Sequence, residues 1–349
     1  MLEGVFDALH QPEIDVKAEA FIRQFAKAIF EQEVRRSQSR TPGVRPTPSA
    51  LLSCFLDAIP HGLAHDRTEH ADKACVVITS IVHDLVVMHQ QPNIPPQDIM
   101  LILHQMANRF TALCLDESWT RKSAGCNGIK IMASTPDLGT RCIIEREFDV
   151  FRTLLHILKD LPPDLPSNVD DVIGVLVTVL NICTNPLDLQ SENAQQKLVN
   201  RVGIFFPELQ SPNLLVRQAA QKCIETVVKL SGRPTHELLL PHRHRMLTGI
   251  YTKPLRALPF SKQIGMIEAI RYCISLDPPL VEYNDELLRL LHEALGFADA
   301  EDTQIVIPPR NLRQGRLEII ILRVACIKLL TASMPLTDFF SRLPKTRQT

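Results

Sequence analysis

Apolar residues recur at helical spacing along this chain from one end to the other. Phe21, Phe25 and Ile29 form one stripe at i, i+4 and i+8, and Ile22, Ala26 and Phe30 form the stripe beside it. Leu101, Gln105, Ala107 to Phe110, Leu113 and Cys114 mark a similar face further on. No segment sustains the alternation of a half-buried strand. Apolar stretches of about 15–22 residues are divided by short breaks rich in Pro, Asn, Asp and Ser. The breaks fall at Arg40–Pro48, Gln91–Pro96, Leu161–Pro166, Asn185-Pro186, Ser211–Asn213, Ser231–Pro234, Asp277–Pro279 and Ile307–Pro309. Proline cannot continue a helix and restrains the residue before it, so each break predicts a stop. Asn213, Thr235 and Asn284 precede apolar periodicity and are predicted N-caps.

Helix starts every 20–25 residues give pairs of about 40–50 residues, close to the HEAT/armadillo period of about 40–47. The clearest unit runs from Phe205 to Ile224. It predicts a first helix ending near Leu209, a break at Pro212, and a second helix opened by Val216-Arg217-x-Ala219-Ala220, with Asn213 where the HEAT pattern usually has Asp. The expected fold is therefore all-α, an irregular HEAT-like α-solenoid of helix pairs. Length alone would suggest about two domains. A solenoid packs repeat on repeat, so residues 1–349 read instead as one segment of such an array, with a flexible Pro-rich loop at 37–48. Complete solenoids end in polar caps. Val5, Phe6 and Leu9 at the start, and Leu329, Leu330, Phe339, Phe340 and Leu343 at the end, are apolar, which predicts a piece of a longer array.

Composition narrows the function more than the fold. With 45% apolar and 22% charged residues the chain is not disordered. Thirteen glycines against 25 prolines argue against phosphate-cradling loops. The longest apolar runs, Ala74–Met88, Ile173–Cys183 and Ile319–Leu330, are too short to span a bilayer, and no secretory signal opens the chain. Nine cysteines never approach within Cys-x-x-Cys spacing and mostly lie in apolar helical stretches, as buried free thiols of a reducing compartment would.

No chemistry-bearing motif emerges. Nucleotide loops, a Gly-x-Ser-x-Gly elbow, His-Glu-x-x-His and the kinase set of catalytic and metal-binding residues are all missing. Gly125 and Gly128 sit inside a helical run and read as small residues that let a neighbouring helix approach. His61 and His65, with His70, Asp66 and Glu69 nearby, have metal-ligand chemistry, but the stretch from Pro60 reads as an exposed inter-helix loop. His242 and His244, two apart, would diverge on a helix. Neither an enzyme, a cofactor nor a metal is expected. A net charge of −1, three Tyr and one Trp give no support to sequence-specific nucleic-acid binding.

Three stretches carry a resemblance: Trp119-Thr-Arg-Lys-Ser-Ala-Gly-Cys-Asn-Gly-Ile-Lys130, Lys253-Pro-Leu-Arg-Ala-Leu-Pro-Phe through Cys273-Ile-Ser-Leu276, and Tyr283-Asn-Asp-Glu-Leu-Leu-Arg-Leu-Leu-His-Glu-Ala-Leu295. They resemble the HEAT region of TRRAP-type proteins, the giant pseudokinase-family scaffolds of SAGA and related histone acetyltransferase complexes. The likeness spans roughly residues 110–305. It implies a nuclear, non-catalytic scaffold whose solenoid surface binds complex subunits and acidic transcription activators, with no small-molecule substrate and no membrane. The alternative is a transport solenoid of importin or adaptor type, which is usually markedly acidic, unlike this chain.

Charge offers one candidate surface. Arg233, Arg243, Arg245, Lys253, Arg256 and Lys262 are opposed only by Glu237, with His236, His242 and His244 interspersed. From Asp277 to Asp302 eight acidic residues face only Arg289. A basic ridge has the charge expected of a landing site for acidic, disordered activation segments. The competing reading is that the two segments stack and neutralise each other, or are simply solvated.

Overall fold

Helices make up nearly all regular structure in the computed structural model, which describes residues 2–39, 47–91, 93–161, 167–184, 191–300 and 312–336. No strand occurs among them. The caps act as their chemistry requires. Ser49 accepts from Leu52 N (3.1 Å), Ser191 from Ala194 N (3.2 Å), Asn213 from Leu215 N (2.9 Å) and Asn284 from Leu287 N (2.9 Å). Each satisfies an otherwise unpaired amide and is worth about 1 kcal/mol.

The chain divides into two compact units, Met1–Cys183 and Thr184–Thr349. The first holds α1 (Leu2–Asp7), α2 (Asp15–Gln38), α3 (Ala50–Leu63), α4 (Thr68–Met88), α5 (Pro96–Leu113), α6 (Trp119–Ser134), α7 (Leu138–Glu145), α8 (Glu147–Lys159) and α9 (Ser167–Cys183). Each packs chiefly on helices one to three places along the chain, as in a repeat protein. The second holds α10 (Glu192–Phe205), α11 (Leu214–Ser231), α12 (Thr235–Leu239), α13 (Arg243–Tyr251), α14 (Phe260–Ile274), α15 (Asp285–Asp299) and α16 (Leu312–Ser333). There α14 and α15 pack on α16, and α10 packs on α11 and α12.

Several sequence expectations change in detail. Of the two stripes on α2, Ile22, Ala26 and Phe30 are buried together with Ile29, whereas Phe21 is exposed and stacks on Phe25 at 5.7 Å. Pro60 does not end α3 but lies buried in its last turn, so His61 is helical rather than in a loop. Two residues on, Gly62 leaves room for the Phe6 ring, which seats α1 on α3. Phe6 and Leu9 are consequently buried, not an exposed starting face. Pro234 occupies the cap position assigned to Thr235, and α10 stops at Phe205, with a 3-10 turn carrying the chain from Phe206 to Gln210. The 37–48 loop begins later than expected. Ser37 and Gln38 close α2 and bond to Asp98 Oδ1 (2.6 Å) and Asn93 O (2.9 Å), while residues 40–46 lie outside the described residues. So do Phe339, Phe340, Leu343, Asn185-Pro186 and Ile307–Pro309.

Candidate functional site

The break between α10 and α11 is built by two polar side chains. Asn213 caps α11, and the buried Arg217 reaches back to donate to Ser211 O (2.7 Å) and Pro212 O (3.1 Å). The pair satisfies backbone groups that the proline break exposes, which is the structural use of these two positions in a HEAT-like turn.

The basic candidates follow that turn along the second unit. Arg233 pairs with Glu237 (3.4 Å), one helical turn away. Arg243, at the start of α13, forms an ion pair with Glu282. Arg256, in the 3-10 turn Leu255–Ala257, lies over the Phe297 ring at 5.5 Å. Across from it, Glu293 Oε2 accepts from Leu255 N (2.7 Å), and Arg289 donates to Tyr251 O (2.6 Å). The acidic segment thus lies against the basic one and takes up part of its charge. Arg245, Lys253 and Lys262 remain exposed and make no ion pair among the described residues. A cleft of about 410 Å³ lined by Arg243, His244, Tyr251, Glu282 and Glu286 therefore carries both signs of charge. A second, of about 550 Å³, is lined by Arg256, Glu293 and Asp299 among others.

Two clusters are completed only by residues distant in sequence. Cys142 Sγ lies 3.5 Å from His104 Nδ1, and His104 Nε2 lies 3.1 Å from Glu145 Oε2, the order of a thiol nucleophile, base and orienting carboxylate. The sulfur is fully buried, and burial pushes its pKa up to about 12. A thiol held protonated and away from solvent cannot attack a substrate, so the trio ties α5 to α7. Glu145 also pairs with Arg141 (3.0 Å).

The second cluster joins His10, His65 and His70, the only close group of three His, Cys, Asp or Glu ligands among the described residues. His10 stacks on His70 at 3.9 Å, and His65 stands edge-on to both, at 5.0 Å and 4.4 Å. His61, grouped with them by sequence spacing, turns instead to Asp7 (3.1 Å). Asp66 and Glu69 are exposed and outside the group. His10 is invisible to spacing because 55 residues separate it from His65. Burial, then the neighbouring imidazoles, lowers the pKa of both His10 and His70.

Helices that pack on near neighbours along the chain, with capped turns between them, define a segment of helical-repeat type. The chain belongs to the Tra1 HEAT repeat ring region family, whose model matches residues 1–349. The chain is 30% identical over 84% of its length to the SAGA complex/NuA4 acetyltransferase complex subunit TRA1 of Saccharomyces cerevisiae, covering 8% of that protein. It is 36% identical over 64% to the corresponding Schizosaccharomyces pombe subunit, covering 6%. To the transformation/transcription domain-associated protein of Homo sapiens it is 24% identical over 65%, again covering 6%. No helix among the described residues is long and apolar enough to cross a membrane.

Proposed function

We propose that this chain is a nuclear scaffold segment of a SAGA- or NuA4-type histone acetyltransferase coactivator complex, binding complex subunits and acidic activation segments through its helical surface. The observation that carries this reading is the match of the whole chain to the Tra1 ring region. Similarity to subunits of the SAGA and NuA4 acetyltransferase complexes favours a coactivator over a transport solenoid. Affinity purification of the full-length gene product should return acetyltransferase-complex subunits, and recovery of cargo or coat proteins instead would refute the assignment.

Within this reading the activator landing site is the ridge of Arg233, Arg243, Arg245, Lys253 and Arg256. Its free charge is concentrated at Arg245 and Lys253, because Arg233, Arg243 and Arg256 already have intramolecular partners. Contacts to those two exposed side chains fade with salt, since the Debye length is about 8 Å at physiological ionic strength. Arg245→Glu with Lys253→Glu should weaken binding of a labelled acidic peptide about tenfold and flatten its salt dependence, with the circular dichroism spectrum unchanged. Unaltered affinity would remove the ridge from the proposal.

A further inference from the structure

We propose that His10, His65 and His70 form a zinc site that fastens the N-terminal turn of the chain to the start of α4. The three imidazoles come from three places: the 3-10 turn Ala8–His10, the connection after α3, and the first turn of α4. One ligand atom from each lies within 4.8 Å of the others. Zinc binds imidazole nitrogen at about 2.0–2.1 Å, so two ligands of a tetrahedral ion stand about 3.3 Å apart. His65 Nε2 and His70 Nδ1 are 3.3 Å apart. A side-chain rotation of His10 completes a facial set of three.

The hydrogen bonding bears on the same centre. The Arg67 amide donates to His65 Nδ1 (3.1 Å), so the His65 proton sits on Nε2 and points to the Nδ1 lone pair of His70. Zinc takes the position of that shared proton. The proton shifts to His65 Nδ1, and the exposed Arg67 amide turns to water, so proton count is conserved. His10 Nδ1 is buried and without a hydrogen-bond partner, a state the interior normally avoids. Asp7 and Glu69 offset the charge of the ion, against Arg67 and Lys73. His65 and His70 are half-exposed, so water can take the fourth position. An all-imidazole set suits zinc, copper or nickel rather than magnesium or calcium.

The test is a titration of the chelator-stripped 349-residue chain with zinc chloride against a chromogenic indicator. We expect about one zinc per chain, and a thermal midpoint raised by about 5 °C at saturation. His10→Asn, His65→Asn and His70→Asn should each weaken binding at least about tenfold. His61→Asn, beside the cluster but outside it, should not. Because His65 is in a half-exposed connection, His65→Asn should keep its helix content while losing the zinc-dependent rise in midpoint. Undiminished affinity in His10→Asn would reduce the cluster to an ordinary surface pair and overturn the proposal. Binding unaffected by all three substitutions, or no midpoint rise in the unaltered chain, would do the same.

Discussion

Gly125 and Gly128 show how narrowly single residues set the packing. A Cβ at Gly125 would lie 2.6 Å from Phe110 O and 2.8 Å from Cys114 N, and one at Gly128 would meet the Phe110 ring at 2.3 Å. Glycine costs a helix about 1 kcal/mol relative to alanine, yet here it lets α6 touch the backbone of α5. Gly125→Ala should therefore destabilise the chain by about 1–3 kcal/mol despite its better helix propensity, as measured by urea unfolding. An increase in stability would mean the two helices separate freely. Cysteine reactivity follows burial in the same way. Cys54 is exposed, whereas burial pushes the thiols of Cys126, Cys142, Cys223, Cys273 and Cys326 up to about 12. Native labelling near pH 8 should show a fast phase that Cys54→Ser abolishes. Since the folded state keeps these protons longer than the unfolded chain does, stability should fall as pH rises above about 9.

Between elements, the contacts most exposed to mutation join a buried polar group to one partner. Lys122 on α6 is 2% exposed and pairs with Asp160, just past the end of α8, whose own side chain is 60% exposed. The lysine lowers the pKa of Asp160 through its hydrogen bond and charge. The stabilisation is present at neutral pH and is lost as pH falls through that lowered value. Asp160→Asn should cost about 1–3 kcal/mol by leaving a buried ammonium poorly matched, and adding Lys122→Met should recover most of it. If the double variant is no more stable than Asp160→Asn, the ammonium is already solvated. The Arg243–Glu282 pair, between α13 and the connection before α15, is open to solvent, so Arg243→Ala should change stability by less than about 1 kcal/mol.

At the scale of the whole molecule, α16 is apolar on two sides. Ile319, Leu322, Ala325, Cys326 and Leu329 are buried, whereas Leu317, Ile320, Ile321, Val324 and Ile327 are exposed along the other face. Such a stripe exceeds what isolated surface leucines require, and it has the spacing of a helix that packs on two neighbours. In a repeat array each unit buries its face against the next, so this face should drive self-association of the separate chain. Replacing Ile320, Val324 and Ile327 with Gln should shift light scattering towards the monomer and leave helix content unchanged. Persistent association would place the adhesive surface elsewhere.

Helical periodicity, proline breaks and Asn caps determined the all-α repeat class from the sequence, because helix formation and termination depend on residues within a few positions of each other. Asn213 and Asn284 are caps for that local reason, and Gly125 and Gly128 were legible as packing residues from spacing alone. What required tertiary structure was every choice made by distant residues. Gly62 admits the Phe6 ring from more than fifty positions away, and His10 replaces His61 beside His65 and His70. Glu282 takes up the charge of Arg243, a partner that spacing alone left open. Sequence patterns record which face of a helix is apolar, but only packing decides which neighbour covers it and which side chains are left for a partner.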